Sequence, residues 1–301
     1  MHTGWKASLA EVLKEHNGRK LGGSVASYAT QDKRADTLYA GFRDLRELGF
    51  KLNSVQSFKG KHMQALAKIW LERGLSASTL QNNISIFRTF ATWIGKEGMV
   101  EKSDKYVSAG AAKRSSVAKT DKSWQAQGVD VAAQIAKVTA IDPRVGLQLE
   151  LQAAFGLRVR EALELRPHIA DKGSYLAVNV GTKGGRDRVV PIDTVEKRAL
   201  IEKAKGFTAN KTSSTSDPSL RLHQVKNRYY AVMRACGITK KEGGITSHGL
   251  RHGFANDRYC ALSGRLSPVR GGSGDDKAAR LAVAEDLGHS RENITTHYLG
   301  R

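Results

Sequence analysis

The segment Thr246-Ser-His-Gly-Leu-Arg-His252 sets an imidazole and a guanidinium three residues apart. On a helix, His248 and Arg251 share a face and can converge on one anion, and His252 follows at i+4 from His248. The planar fork of Arg suits the two non-bridging oxygens of a phosphodiester. The same seven residues also read as a capped helix start with ordinary polar side chains. A second segment, Phe155-Gly-Leu-Arg-Val-Arg-Glu-Ala162, puts Arg158 after a helix-breaking Gly with Glu161 three positions on. A carboxylate there can hold the guanidinium's rotamer before a substrate arrives, as a prepared site requires. It can equally be a surface pair worth a few tenths of a kcal/mol. Arg160 competes for the role but lacks the preceding Gly-Leu and the i+3 carboxylate.

Two further segments carry reactive groups. Lys183 lies in Gly181-Thr-Lys-Gly-Gly-Arg-Asp-Arg188, where a lysine on a β-turn can reach across a groove and give a proton to a departing oxygen. A solvated turn lysine fits the same residues. In Leu287-Gly-His-Ser-Arg-Glu-Asn-Ile-Thr-Thr-His-Tyr-Leu299, Gly288 ends a helix, His289 lies in the turn and Ser290 is placed to cap the next helix. Tyr298 then sits on that short terminal helix, anchored by Ile294 and Leu299, with its hydroxyl either aimed at a phosphate or merely packed.

These groups need elements to hold them. Leu38, Phe42, Leu45 and Leu48 recur at helical spacing up to Gly49; a second helical stretch runs from about Val55 to Arg73; a third follows Ser76–Ser78 with Leu80, Ile84, Phe87, Phe90 and Ile94. The first hundred residues therefore predict a small helical bundle with Lys59, Lys61, Lys68, Arg73 and Arg88 on its surface. Residues 111–123 are small, polar and basic, which predicts a linker between an all-α N-terminal domain over 1–110 and a second domain over 124–301. That second domain reads as mainly α with a small β-hairpin, an α+β fold. Its helices are expected over Val129–Val138, Val145–Phe155, Val159–Leu165, up to Cys236, and over His248–Leu262 with Ser247 as cap. Tyr175–Thr182 and Arg188–Ile192 read as the hairpin strands. Asp193 with Glu196 resembles a capping box opening a helix to about Lys205, and Gly264–Asp276 reads as a flexible insertion.

Composition narrows the function. Forty-nine Lys and Arg against 29 Asp and Glu leave +20, with 20 basic and 10 acidic side chains in residues 1–120 and 29 and 19 in the rest. An excess spread over both halves fits a long polyanion touching both. Apolar residues make up 40%, enough for two cores. No stretch approaches the ~20 apolar residues of a membrane span, and the N-terminus lacks the apolar core of a secretion signal. Cys236 and Cys260 lack metal-ligand spacing and read as small core residues of a reducing, cytoplasmic protein.

The elements GLRxxE, a hairpin Lys, HxxRH, LGHS and a Tyr nine residues after that His fall in the order that marks the tyrosine recombinase (phage integrase) family. The chain resembles that family over most of residues 125–301. The helical N-terminal part looks like its core-binding domain. The resemblance implies a DNA strand transesterification that passes through a 3′-phosphotyrosine without metal or other cofactor. It makes Tyr298 the nucleophile, Arg158 and Arg251 the phosphate clamp, Lys183 the acid for the leaving 5′-oxygen, His248 a proton-transfer partner and His289 a phosphate ligand. Glu161 and His252 take supporting roles. Double-stranded DNA is the implied partner, with a homo-tetramer on DNA, accessory DNA-bending proteins, no membrane and a nucleoid-associated location. A type IB topoisomerase uses much the same residues to relax DNA, and a non-catalytic regulator or architectural protein explains the charge but not the ordered set. The enzyme reading requires Arg158 and Arg251 to meet at one phosphate within reach of Tyr298.

Overall fold

The computed structural model describes residues 4–107, 115–182, 185–273 and 275–301. Lys183 lies outside the described residues, as do part of the expected linker and Gly274 of the expected insertion. The described chain divides into two compact units, one ending at Ser115 and the other beginning at Ser116.

In the first unit, apolar residues at helical spacing become α1 (Trp5–His16), α2 (Tyr28–Glu47), α3 (Gly60–Glu72) and α4 (Ala77–Trp93). Ser27 and Ser76 cap α2 and α4, their hydroxyls accepting from the backbone N–H of Thr30 and Thr79. Phe42, Phe58, Phe87 and Phe90 pack edge-on and tilted at the centre. Gly41 lets α2 approach that cluster: a Cβ there would meet the Phe87 ring at 2.5 Å. Two features differ from expectation. The stretch from Val55 is broken into a 3-10 turn over Val55–Ser57 before α3 begins. Helix α1 is an additional element, and it buries Trp5, Leu9 and Val12.

The second unit holds α5 (Val131–Ile141), α6 (Pro143–Phe155), α7 (Val159–Glu164), α8 (Pro167–Ala170), β1 (Tyr175–Val178), β2 (Arg188–Pro191), α9 (Val195–Gly206), α10 (Leu222–Ala235), α11 (His248–Ser263), α12 (Lys277–Asp286) and α13 (Thr296–Leu299). The two strands pair antiparallel with Val178 opposite Arg188 and Tyr175 opposite Pro191. One core gathers Phe155 and Leu157, the strand residues Leu176, Val178 and Val190, and Phe254, Leu287, Tyr298 and Leu299. Gly156 joins α6 to α7 with φ +59, and a Cβ there would lie 2.4 Å from the Phe254 ring. Only glycine meets both demands.

Several local expectations are corrected. Thr194, not Asp193, caps α9, and Asp193 pairs with Lys197 and Arg258 instead. Ser247 precedes α11 with helical backbone angles and no capping bond, and the turn after Ser290 is entered through Arg291 without a side-chain cap. Cys236 and Cys260 are half-buried rather than core. The described part of Gly264–Asp276 is tied down. Ser267 is buried and its hydroxyl bonds Asn256, Arg270 pairs with Asp121 and Asp257, and Asp276 caps α12. Residues 116–123, expected as linker, belong to the second unit: the Ala118 N–H donates to the Thr296 carbonyl at 2.8 Å, and Ser123 is fully buried.

Candidate active site

Arg251 lies in the first turn of α11 and is fully buried. Its guanidinium donates to the Gly156 carbonyl, to the Leu287 carbonyl at 2.5 Å, and through Nε to the Tyr298 hydroxyl at 3.2 Å. Arg158 enters from the extended turn before α7. It donates through Nη1 to Glu161 Oε1 at 2.7 Å and through Nη2 to the same Leu287 carbonyl at 3.3 Å. One backbone oxygen thus gathers both guanidiniums, which lie 93 residues apart in the sequence. Arg251 is inside the fold, whereas the Arg158 side chain keeps 24% of its surface open to an incoming group.

The turn that supplies Leu287 is shaped by Gly288 at φ +72, after which the His289 N–H donates back to Ala284 at 2.7 Å. His289 stands among cations. Burial first, then Arg251, Arg158 and Arg188, lower its imidazole to about 4. Its Nε2 is buried without a partner, and so is Nδ1 of His252. Orphaned buried nitrogens of this kind are rare and mark places where a ligand or water completes the bonding.

Tyr298 is packed between imidazoles and guanidinium. Its ring centroid lies 4.9 Å from that of His252 and 6.0 Å from that of His248, and the Arg251 guanidinium carbon is 5.8 Å from it. His248 presents an exposed edge to solvent. Desolvation and the charges of Arg251, Arg158 and Lys122 still lower it to about 4. His252 falls to about 3, mainly through burial and then through His248 and Lys122. Arg251 itself is lowered to about 10, chiefly by burial, with the Arg158 and Arg188 charges adding to it. It stays protonated at neutral pH. The imidazoles are neutral there.

Of the sequence-predicted residues, Arg158, Glu161, His248, Arg251, His252, His289 and Tyr298 fall in one neighbourhood through these contacts. Lys183 lies outside the described residues. Arg160 instead forms an exposed i,i+4 pair with Glu164 at 2.6 Å. Sequence reasoning missed Arg188, which bonds both oxygens of Glu161 at 2.7 and 2.8 Å. Its phase became visible only in the fold: Arg188 and Val190 are buried and Val189 is exposed, an alternation that two adjacent valines hide in the sequence. Lys122, at the end of the expected linker, likewise contributes charge to the two imidazoles of α11.

Two family profiles match the chain. One is described as phage integrase, N-terminal, over residues 8–100, and the other as integrase, over residues 111–257. The second match stops short of His289 and Tyr298. Tyrosine recombinase XerC of Xanthomonas axonopodis pv. citri (strain 306) is 30% identical over 251 residues, covering 80% of this chain and 73% of that protein. XerC of Xylella fastidiosa (strain M23) is 30% identical over 204 residues, covering 64% of this chain and 65% of that protein, slightly under two thirds of its length. A lambda integrase (75–356) dimer bound to a COC' core site matches with TM-score 0.63 and 19% identity, over 98% of this chain and 95% of that one. A lambda integrase tetramer bound to a Holliday junction matches with TM-score 0.64 and 17% identity, over 98% and 77%. At these identities the structural likeness establishes the fold. No helix among the described residues is long and apolar enough to cross a membrane.

Proposed function

The chain belongs to the tyrosine recombinase family, and from that premise we propose that it is a site-specific DNA recombinase whose nucleophile is Tyr298. The observation that carries this reading is the shared Leu287 carbonyl, which draws Arg158 and Arg251 together while Arg251 also holds the Tyr298 hydroxyl.

In the proposed reaction Tyr298 Oη attacks a backbone phosphorus. The bond to Oη forms, the bond to the 5′-oxygen breaks, and a 3′-phosphotyrosine and a free 5′-hydroxyl result. The tyrosine proton passes to the neutral His248 or to water beside it. Arg158 and Arg251 meet the charge that grows on the non-bridging oxygens, and fixed cations of this kind do the larger share of work in phosphoryl transfer. His289 offers its unpartnered Nε2 to the same phosphate. His252 packs against the tyrosine ring, and Glu161 fixes Arg158. Lys183 is assigned from the sequence as the acid for the 5′-oxygen. The phosphodiester energy is kept in the protein–DNA ester, so rejoining needs no nucleotide cofactor. The basic charge of both units suits duplex DNA, on which we place four copies of the chain.

Trapping tests this directly. The protein is incubated with a pool of nicked duplexes from its source genome, denatured, and assayed for a protease-sensitive protein–DNA adduct whose ends are sequenced. Wild type should give the adduct at defined sites. Tyr298→Phe should bind DNA within about threefold of wild type and give none, because it loses one hydroxyl and little packing. An adduct from Tyr298→Phe reassigns the nucleophile. Binding without an adduct from the wild type would leave a DNA-binding regulator, and relaxation without exchange of strands between sites would leave a topoisomerase.

A further inference from the structure

Arg188 takes no part in the proposed reaction, yet it organises the group that does. Its side chain is 3% exposed, too deep to touch a DNA phosphate. Glu161 is fully buried, and burial alone would raise its carboxyl. The bonds and charge of Arg188, then the Arg158 backbone N–H and charge, bring it down to about 2. Four donors saturate that carboxylate. Oε1 accepts from Nη1 of both arginines at 2.7 Å, and Oε2 accepts from Arg188 Nη2 at 2.8 Å and from the Arg158 N–H at 2.7 Å.

The third nitrogen of Arg188, Nε, donates to the Asp286 carbonyl at 2.8 Å. Its Cδ would lie 3.0 Å from a Cβ at Gly288. Leu287, whose carbonyl receives Arg158 and Arg251, sits between those two points. One buried side chain therefore braces both acceptors that the Arg158 guanidinium uses, Glu161 Oε1 directly and Leu287 O through the turn on either side of it.

We propose that Arg188 is a positioning residue for the phosphate clamp, holding Arg158 ready through Glu161 on one side and through the Asp286–Gly288 turn on the other. The inference rests on the recombinase reading. Physically, a carboxylate at the end of a glutamate turns easily about its last torsion. The fork of Arg188 fixes its plane, and that plane decides where Arg158 Nη1 finds its partner. Lysine offers a point charge without a fork and cannot do this. The carboxylate also stands between two guanidiniums that would otherwise repel each other.

The test compares wild type, Arg188→Gln and Arg188→Lys in single-turnover cleavage of a suicide duplex bearing the site recovered by trapping. The same duplex is also made with a methylphosphonate at the scissile position. That phosphorus is neutral, so less charge is left for Arg158 to balance. A misplacement of about an ångström costs on the order of 10²-fold. Arg188→Gln should accordingly slow phosphodiester cleavage roughly 10- to 100-fold and methylphosphonate cleavage by less than about threefold, with Arg188→Lys in between. Equal slowing on both substrates, or none on the phosphodiester, overturns the proposal. Should Arg188→Gln fail to fold, the double variant Glu161→Gln/Arg188→Met removes both buried charges together, which folds tolerate better than one left alone. It must show the same substrate-selective loss; wild-type cleavage of the phosphodiester by it overturns the proposal. No adduct from the wild-type chain is the separate failure of the recombinase reading and removes the clamp that Arg188 would serve.

Discussion

His252 and His289 each bury a ring nitrogen without a partner, and with His248 they titrate at about 3 to 4 against an ordinary value of 6.5. Between pH 6.5 and about 4 the unfolded chain therefore binds protons at these rings that the folded chain refuses. Stability is full above that window and is lost as pH falls through it. Glu161, lowered to about 2, holds its contribution until below pH 4.5, outside most of that range. Asp286, raised by burial, works the other way as pH falls. Thermal melts should give a lower Tm at pH 5 than at pH 7.5, and His252→Leu should narrow the gap. A Tm indifferent to pH across this range would mean that the rings are charged in the fold. At this scale the sequence was informative wherever two groups lie three or four residues apart, as with Arg158 and Glu161 or His248, Arg251 and His252. It was silent on Arg188, whose partner is 27 residues away and whose position in a strand looks like that of any β-former.

Among elements, the link between α6 and α7 has the least freedom. Gly156→Ala would place a methyl 2.4 Å from the Phe254 ring and force a left-handed φ on a residue with a Cβ. Overpacking and the left-handed angle together should cost about 2–4 kcal/mol, read as a fall in the unfolding midpoint at unchanged m-value. A neutral substitution would show that Phe254 can give way. Because the Gly156 carbonyl also accepts from Arg251, the variant should lose cleavage along with stability. Periodicity located the long helices of the second unit that carry Arg251 and its neighbours. What it misread were short-range details. The glycines of the Gly264–Asp276 segment suggested freedom, but Ser267 and Arg270 tie it to Asn256, Asp121 and Asp257. Tertiary ion pairs leave no periodic trace in sequence. Helix α1 escaped because its apolar set, Trp5, Leu9 and Val12, is brief and lies at the chain's start.

For the molecule as a whole, +20 spread over both units predicts binding dominated by phosphate contacts. Each neutralised phosphate releases counterions, so affinity for duplex DNA should fall roughly 10³-fold or more between about 50 and 200 mM salt if six or more phosphates are engaged. Filter binding across that range checks it, and a flat response would confine DNA contact to the neighbourhood of the candidate site. Charge made this partner legible from composition alone, whereas the meeting of Arg158 and Arg251 is a property of the folded chain. That meeting depends on the carbonyl of Leu287, an atom every amino acid possesses. Exchanging the leucine for another apolar residue disturbs its buried packing but leaves the oxygen in place. Adding one residue to the Asp286–His289 turn is a different kind of change. It displaces the oxygen by about 3.8 Å, one Cα step, and parts the two cations at a stroke. The spacing of the two guanidiniums is thus written in chain length, and the turn will tolerate spelling changes far better than insertions.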